Sequence, residues 1–254
     1  MENKSINIYS HHAPKMDWFE QFFDKMDEFK DDNTLGSQML KFFKTFLRHA
    51  GLMEKDMVTP LAVQLKEMGL EDERVWGILL TNLAYSAQIR WYLYNTMMYT
   101  ENERSMLEMR MVETGTKESY TNDVISSLGR FAELPFNKIG FGTATKEKSK
   151  IVGFSRSEWQ NPDPLVILYS LYKYAEACGG YYHFTLSALM DESIESDGVS
   201  PARIFGLSRE TLGDVLQKLS ANHQDFINAS FTLGLDNINL KEDKTSADVL
   251  ALFN

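Results

Sequence analysis

Five histidines, one cysteine and a few clustered acids are the side chains of this 254-residue chain that could build a metal or catalytic centre. His11, His12, His49, His183 and His223 have no spacing that one helix or turn would gather around an ion, which needs converging ligands. Asp236, Glu242 and Asp243 lack the alternation and central glycine of a calcium loop. Cys178 closes a largely apolar stretch, and a helix C-terminus disfavours a thiolate, so it reads as a small packing residue. No Gly-x-Ser-x-Gly elbow frames a nucleophile, and Gly140-Phe141-Gly142 ahead of Lys146 lacks the remainder of a phosphate-binding loop. The sequence therefore predicts a non-enzymatic protein with no catalytic residue, no metal and no cofactor.

What remains is positive charge at helical spacing. Lys41, Lys44 and Arg48 share one face of a stretch with no acid between Asn33 and Met53, and Lys117, Asn122 and Arg130 lie on a second candidate helix. Cations at successive turns can meet phosphates while amides and hydroxyls reach base edges, as in helix-turn-helix docking. These six are the candidate DNA-binding residues. The formal charge of -10, from 26 Lys and Arg against 36 Asp and Glu, excludes indiscriminate adhesion to nucleic acid or anionic membrane while leaving room for a local basic groove. A charge stripe is also an ordinary solvated face, and such modules dock proteins too, so the residues alone leave both readings open.

The elements that must position these groups are mostly helical. Met1 to Pro14 is polar and aperiodic and reads as a tail that orders against the body or a partner. Trp18, Phe19, Phe22, Phe23, Met26 and Phe29 then recur at three and four, giving an aromatic face that docks on the core. The alternative for this helix is a partner-binding role for Trp18, Phe22 and Phe23, decided by whether the face is exposed. The next helix starts at Asn33–Gly36, buries Met39, Leu40, Phe43, Phe46, Leu47 and Ala50, and stops at Gly51. A short hairpin through Glu54-Lys55-Asp56 follows, and Pro60 opens a helix to Met68. Helix, hairpin and helix in this order predict a winged helix-turn-helix module.

Asp72 to Asn95 is apolar on nearly every side and reads as a buried central pillar. A second helix-turn-helix pattern begins with a Thr100/Glu103 capping box, breaks at Gly115, and resumes from Lys117 to Ala132. In that last helix Tyr120, Val124, Ile125, Leu128 and Phe131 are expected inward, and Lys117, Thr121, Asn122, Ser126 and Arg130 outward. Lys146, Lys148, Lys150 and Arg156 surround a short strand or hairpin. Beyond it Asp163-Pro164 starts a helix that ends before Gly179-Gly180, three shorter helices begin at Thr185, Ser200 and Ser208, and Phe226 to Leu240 alternates as a strand ribbon would. The expected fold is mainly α with minor β: a tail over 1–14, a winged-helix-containing domain over 15–145, and a helical domain with short strands over 146–254. One cysteine excludes a disulfide framework and fits a reducing cytoplasm, and no run approaches the roughly 18 apolar residues of a membrane span.

Several segments resemble a known family. NTLGSQMLKFFKTFLRHAGL (33–52), WGILLTNLAYSAQIRWY (76–92), LPFNKIGFG (134–142) and NPDPLVILYSLYKYAEACGGYYHFTLSALMD (161–191) are similar to the C-terminal helical region of phosphoadenosine-phosphosulfate-reductase-like proteins. Related stand-alone domains accompany bacterial DNA phosphorothioation and BREX-type phage-defence genes, and DGVSPARIFGLSRETL and SFTLGLDNINL extend the likeness. The Ser-Gly-Gly-x-Asp-Ser loop and the cysteines of the reductase-like half do not occur here. The resemblance implies a cytoplasmic accessory subunit that contacts DNA or holds a reductase-like or other defence protein, with a purely protein-binding scaffold as the alternative.

Overall fold

A computed structural model describes residues 6–191, 193, 196–232 and 235–253. It is about 53% helix and about 14% strand, mainly α with small sheets. The chain divides into two compact units, Met1–Ser157 and Glu158–Asn254.

In the first unit, α1 (Met16–Lys25) and a 3-10 turn (Met26–Lys30) bury Trp18, Phe19, Phe22, Phe23 and Phe29. Their rings meet Phe43 and Phe46 of α2 (Ser37–His49) edge to face, with Phe19 5.5 Å from Phe43 and 5.2 Å from Phe46. Met39, expected inward, is instead exposed at the rim of α2. The strands β1 (Met53–Glu54) and β2 (Met57–Val58) form the expected hairpin. Thr59 then caps α3 (Pro60–Met68) by accepting from the Ala62 N–H, with Pro60 in the first turn, where its missing donor costs nothing. The apolar pillar is two buried helices, α4 (Glu73–Leu83) and α5 (Ala87–Asn95), separated where the Ser86 hydroxyl donates to the Leu83 carbonyl.

The N-terminal segment is no loose tail from Ile6 onward. Ile6, Tyr9 and Ala13 are buried, and the Ile8 and Tyr9 N–H groups donate to the Gln88 side-chain carbonyl at 3.1 and 3.3 Å. Two long-range hydrogen bonds and three buried side chains do not show as periodicity, so the local pattern leaves open whether this segment orders against the body or a partner.

The unit ends in β3 (Glu101–Glu103), α6 (Arg104–Glu113), α7 (Glu118–Phe131), a 3-10 turn (Pro135–Lys138), β4 (Thr143–Glu147) and β5 (Lys150–Ser155). The sheet order is β3-β5-β4, antiparallel throughout. The expected Thr100/Glu103 capping box does not form. Residues 101–103 are drawn into a strand opposite Gly153–Ser155, and the buried Asn102 amide donates to the carbonyls of Met97 and Phe154. Because β5 pairs with both β3 and β4, the hairpin belongs to the first unit, and the division falls after Ser157 instead of between 145 and 146.

The second unit runs α8 (Pro164–Ala177), β6 (His183–Thr185), α9 (Leu186–Met190), α10 (Pro201–Phe205), α11 (Arg209–Asn222), β7 (Ile227–Thr232), β8 (Leu235–Leu240) and α12 (Ser246–Leu250). Asp163, Thr185, Ser200, Ser208 and Thr245 each cap the helix that follows through a side-chain oxygen. The expected ribbon over 226–240 is the β7–β8 pair in a sheet of order β6-β8-β7; Leu233 and Gly234 lie outside the described residues. Each unit therefore contains one succession: a helix, a short strand, further helices, then a hairpin whose second strand pairs with that first short strand. Among the described residues no helix is long and apolar enough to cross a membrane.

Candidate functional site

The α2 cations do not stand equally free. Lys44 Nζ and Arg48 Nη2 each lie 3.4 Å from Asp56 Oδ1, and Arg48 Nε donates to the Lys55 carbonyl at 2.9 Å. The β1–β2 turn thus compensates two of the three expected charges locally; exposed pairs of this kind add little stability, but they reduce the field offered to a polyanion. Lys41 is exposed, with its ammonium 5.9 Å from the centre of the Phe42 ring.

On α7, Lys117 is the residue before the first turn, exposed, with Nζ 5.9 Å from the Tyr120 ring. Asn122 is exposed and its Oδ1 accepts from Arg104 Nη2 at 3.1 Å. Arg130 is half-buried and forms no ion pair among the described residues. Thr121 and Tyr120 exchange their expected places: Thr121 is buried and Tyr120 is 40% exposed. One residue turns a helix by 100°, and Thr121, Val124, Ile125 and Leu128 follow the i, i+3, i+4, i+7 stripe more closely than a set containing Tyr120 does.

Residues 10–12 bring the two sets together. Ser10 Oγ donates to Asp123 Oδ2 at 3.2 Å, and His11 Nδ1 lies 3.6 Å from Asp123 Oδ1. The His11 and His12 ring centres are 3.9 Å apart, and His12 stacks on Phe42 at 5.5 Å. Asp123 and Arg130 are seven residues apart, nearly two turns, so both face this segment from α7. Partial burial, and then the charges of His11 and Arg130, hold the His12 imidazole below its ordinary value.

The β4–β5 hairpin forms another flank. Lys146 pairs with Glu133 at 2.6 Å, whereas Lys148, at the turn with φ +56, and Lys150 are exposed and make no ion pair among the described residues. Alternate lysines around a turn were visible in the sequence, but without the sheet nothing placed them beside α7. Arg156 from the same basic stretch is buried; it donates to the carbonyls of Gly140 and Leu93 and braces the sheet from within.

Trp18, Phe22 and Phe23 are 3%, 0% and 6% exposed. The test set by the sequence therefore goes against a partner-binding role for them: inside the first unit Trp18 meets Phe43, Phe22 meets Phe29 and Phe43, and Phe23 meets Phe22. Cys178 Sγ is 3.5 Å from Ser196 Oγ, and His183 bridges Asn239 at 2.8 Å and Glu242 at 3.3 Å. Among the described residues no three His, Cys, Asp or Glu side chains are grouped to hold a metal.

A family model described as "Protein of unknown function (DUF4007)" matches residues 99–253. The chain belongs to this family. The DUF4007 match takes in β3 to β5 with α6 and α7, and nearly all of the second unit, so both three-stranded sheets fall inside it. Its description assigns no activity and names neither reductase-like proteins nor phage defence. No curated protein and no solved structure matches the chain.

Proposed function

We propose that this DUF4007 protein is a non-enzymatic DNA-binding accessory subunit whose residues 87–155 form a winged-helix module. The observation that carries the reading is the order α5, β3, α6, α7, β4, β5 with the sheet β3-β5-β4. In a helix-turn-helix completed by such a sheet, the second of the paired helices enters the groove and the hairpin lies beside it as the wing. That assigns α7, with Lys117 and Asn122, to the groove and Lys148 and Lys150 to the flanking phosphates. The β1–β2 hairpin, from which the sequence predicts the module, has two residues per strand, lacks a third strand, and stands between α2 and α3. Of the α2 set, Lys41 supports the reading best.

The second unit has a similar succession, with three helices instead of two between its short strand and its hairpin, but six Lys and Arg against fourteen Asp and Glu, whereas the first unit has twenty against twenty-two. Such an acid excess opposes contact with a polyanion. It favours the scaffold reading for this unit, which would face a protein partner such as a reductase-like or other defence subunit. The segment likeness supports a place in a bacterial DNA-modification or anti-phage system of the phosphorothioation or BREX type, in the cytoplasm.

The test is fluorescence anisotropy with plain and phosphorothioate-bearing duplexes across a salt series. Each lysine on a phosphate contributes about 0.9 to the slope of log K against log salt, so Lys148→Gln with Lys150→Gln should flatten the slope by about 2 and weaken binding at ~0.1 M salt by more than tenfold. An unchanged slope in a double variant with the wild-type circular dichroism spectrum removes the wing assignment. No binding by the wild type at ~50 mM salt removes the DNA reading.

A further inference from the structure

We infer that His11, His12 and Arg130 form a phosphate-binding site for the DNA backbone, adding a flank to the α7 interface that strengthens when His12 is protonated. The inference rests on the DNA reading above and extends it to residues that neither the charge pattern nor the wing geometry includes.

Three observations converge. Arg130 is a half-buried cation with no ion pair among the described residues, seated on the α7 face that carries Asp123. The histidine rings are held against that face, fixed on one side by Asp123 with Ser10 and on the other by the stack on Phe42. Lys41 lies beyond Phe42 and is also without an ion pair among the described residues. The charged groups at the pair are thus Asp123 and Arg130 from α7, with Lys41 at the α2 edge. Asp123 is engaged by Ser10 and His11 and also acts on His12, whereas Arg130 makes no ion pair among the described residues. Partial burial first, and then the neighbouring charges of His11 and Arg130, disfavour protonation of His12, and a bound phosphodiester would oppose that. The Phe42–His12 stack restrains the imidazole more than a freely rotating lysine would be restrained.

The experiment follows the imidazole resonances of the full chain by NMR through a pH titration, alone, with a short duplex, and with inorganic phosphate. The duplex should raise the His12 midpoint by about one pH unit, equivalent to about tenfold tighter binding on the acid side of the transition than on the alkaline side. His12→Asn should abolish that pH dependence, and Arg130→Gln should weaken binding on both sides of the transition. If the duplex binds but the histidine midpoints stay put and affinity is flat with pH, the site is overturned and the DNA reading stands. If inorganic phosphate moves His12 while the duplex does not bind, the phosphate site stands and the DNA reading falls. If neither ligand moves His12 and the duplex does not bind, both are overturned.

Discussion

The assignment of α7 as a reading helix requires that it be seated firmly on the sheet, and Gly129 provides the most direct test of that seat. This glycine is buried in the helix, and a Cβ added there would fall inside the van der Waals envelope of Ile151 Cδ1 on β5, while Ile151 Cγ1 would stay at an ordinary 3.5 Å. Gly129→Ala therefore has two opposed terms. Alanine gains about 1 kcal/mol of helix propensity, and overpacking against Ile151 costs about 1–3 kcal/mol, for a net loss of about 1 kcal/mol. Ile151→Val removes the colliding Cδ1 at a cost of about 1 kcal/mol. In that background Gly129→Ala meets only the Cγ atom, so the propensity gain should survive and the substitution should turn from destabilising to stabilising. The coupling in the double-mutant cycle is then about 2 kcal/mol in favour of the pair. Urea unfolding of the four proteins with a common m-value measures it. Additive effects, with a coupling indistinguishable from zero, would refute the packing of α7 on β5 and with it the wing geometry.

Phe22→Ala should cost about 3–5 kcal/mol, because the ring is fully buried against Phe23, Phe29 and Phe43, and thermal unfolding should reveal it whether or not a partner is present. A folded variant of wild-type stability that only loses a partner would instead return this helix to the interaction surface. His49 provides a pH signature: its Nδ1 lies 2.8 Å from Tyr9 Oη, and burial, then Arg48, hold its imidazole below 6.5. Burial also keeps the Tyr9 hydroxyl protonated well into the alkaline range, so its contact with a neutral His49 is a hydrogen bond between two uncharged groups. A folded-state value below that of the unfolded chain means that unfolding takes up a proton. The contribution is complete above about pH 6.5 and is lost as pH falls through the folded value. His49→Asn should flatten the acid-side decline of the urea midpoint relative to wild type, and parallel declines would refute the assignment.

Much of the local structure was legible because its causes are local. Thr59-Pro60, Asp163-Pro164 and Ser200-Pro201 each place an oxygen acceptor ahead of a residue with no N–H to leave unsatisfied, and each starts a helix. The aromatic stripe of α1, the stop at Gly51 and the alternation that becomes β7–β8 follow from side-chain period in the same way. The site was legible only in pieces. Lys41, Arg130 and the hairpin lysines could each be named, but their relation depends on His11 and His12, which sit in a segment with no period at all.

What the sequence by itself determined is therefore the helices and their caps, properties of neighbours within a turn or two. Tertiary structure decided which short segments became strands. Glu101–Glu103 carries a plausible capping box and His183–Thr185 is too short to show a period, yet each lies beside the last strand of a hairpin and acquires backbone partners there. It also decided which cations remain free. Asp56 follows Arg48 by eight residues and Lys44 by twelve, and Glu133 precedes Lys146 by thirteen, so compensation of these charges depends on how the chain folds back. A hydrogen-bond ladder and a Coulomb partner are both set by distance in space, and a linear pattern does not contain that distance.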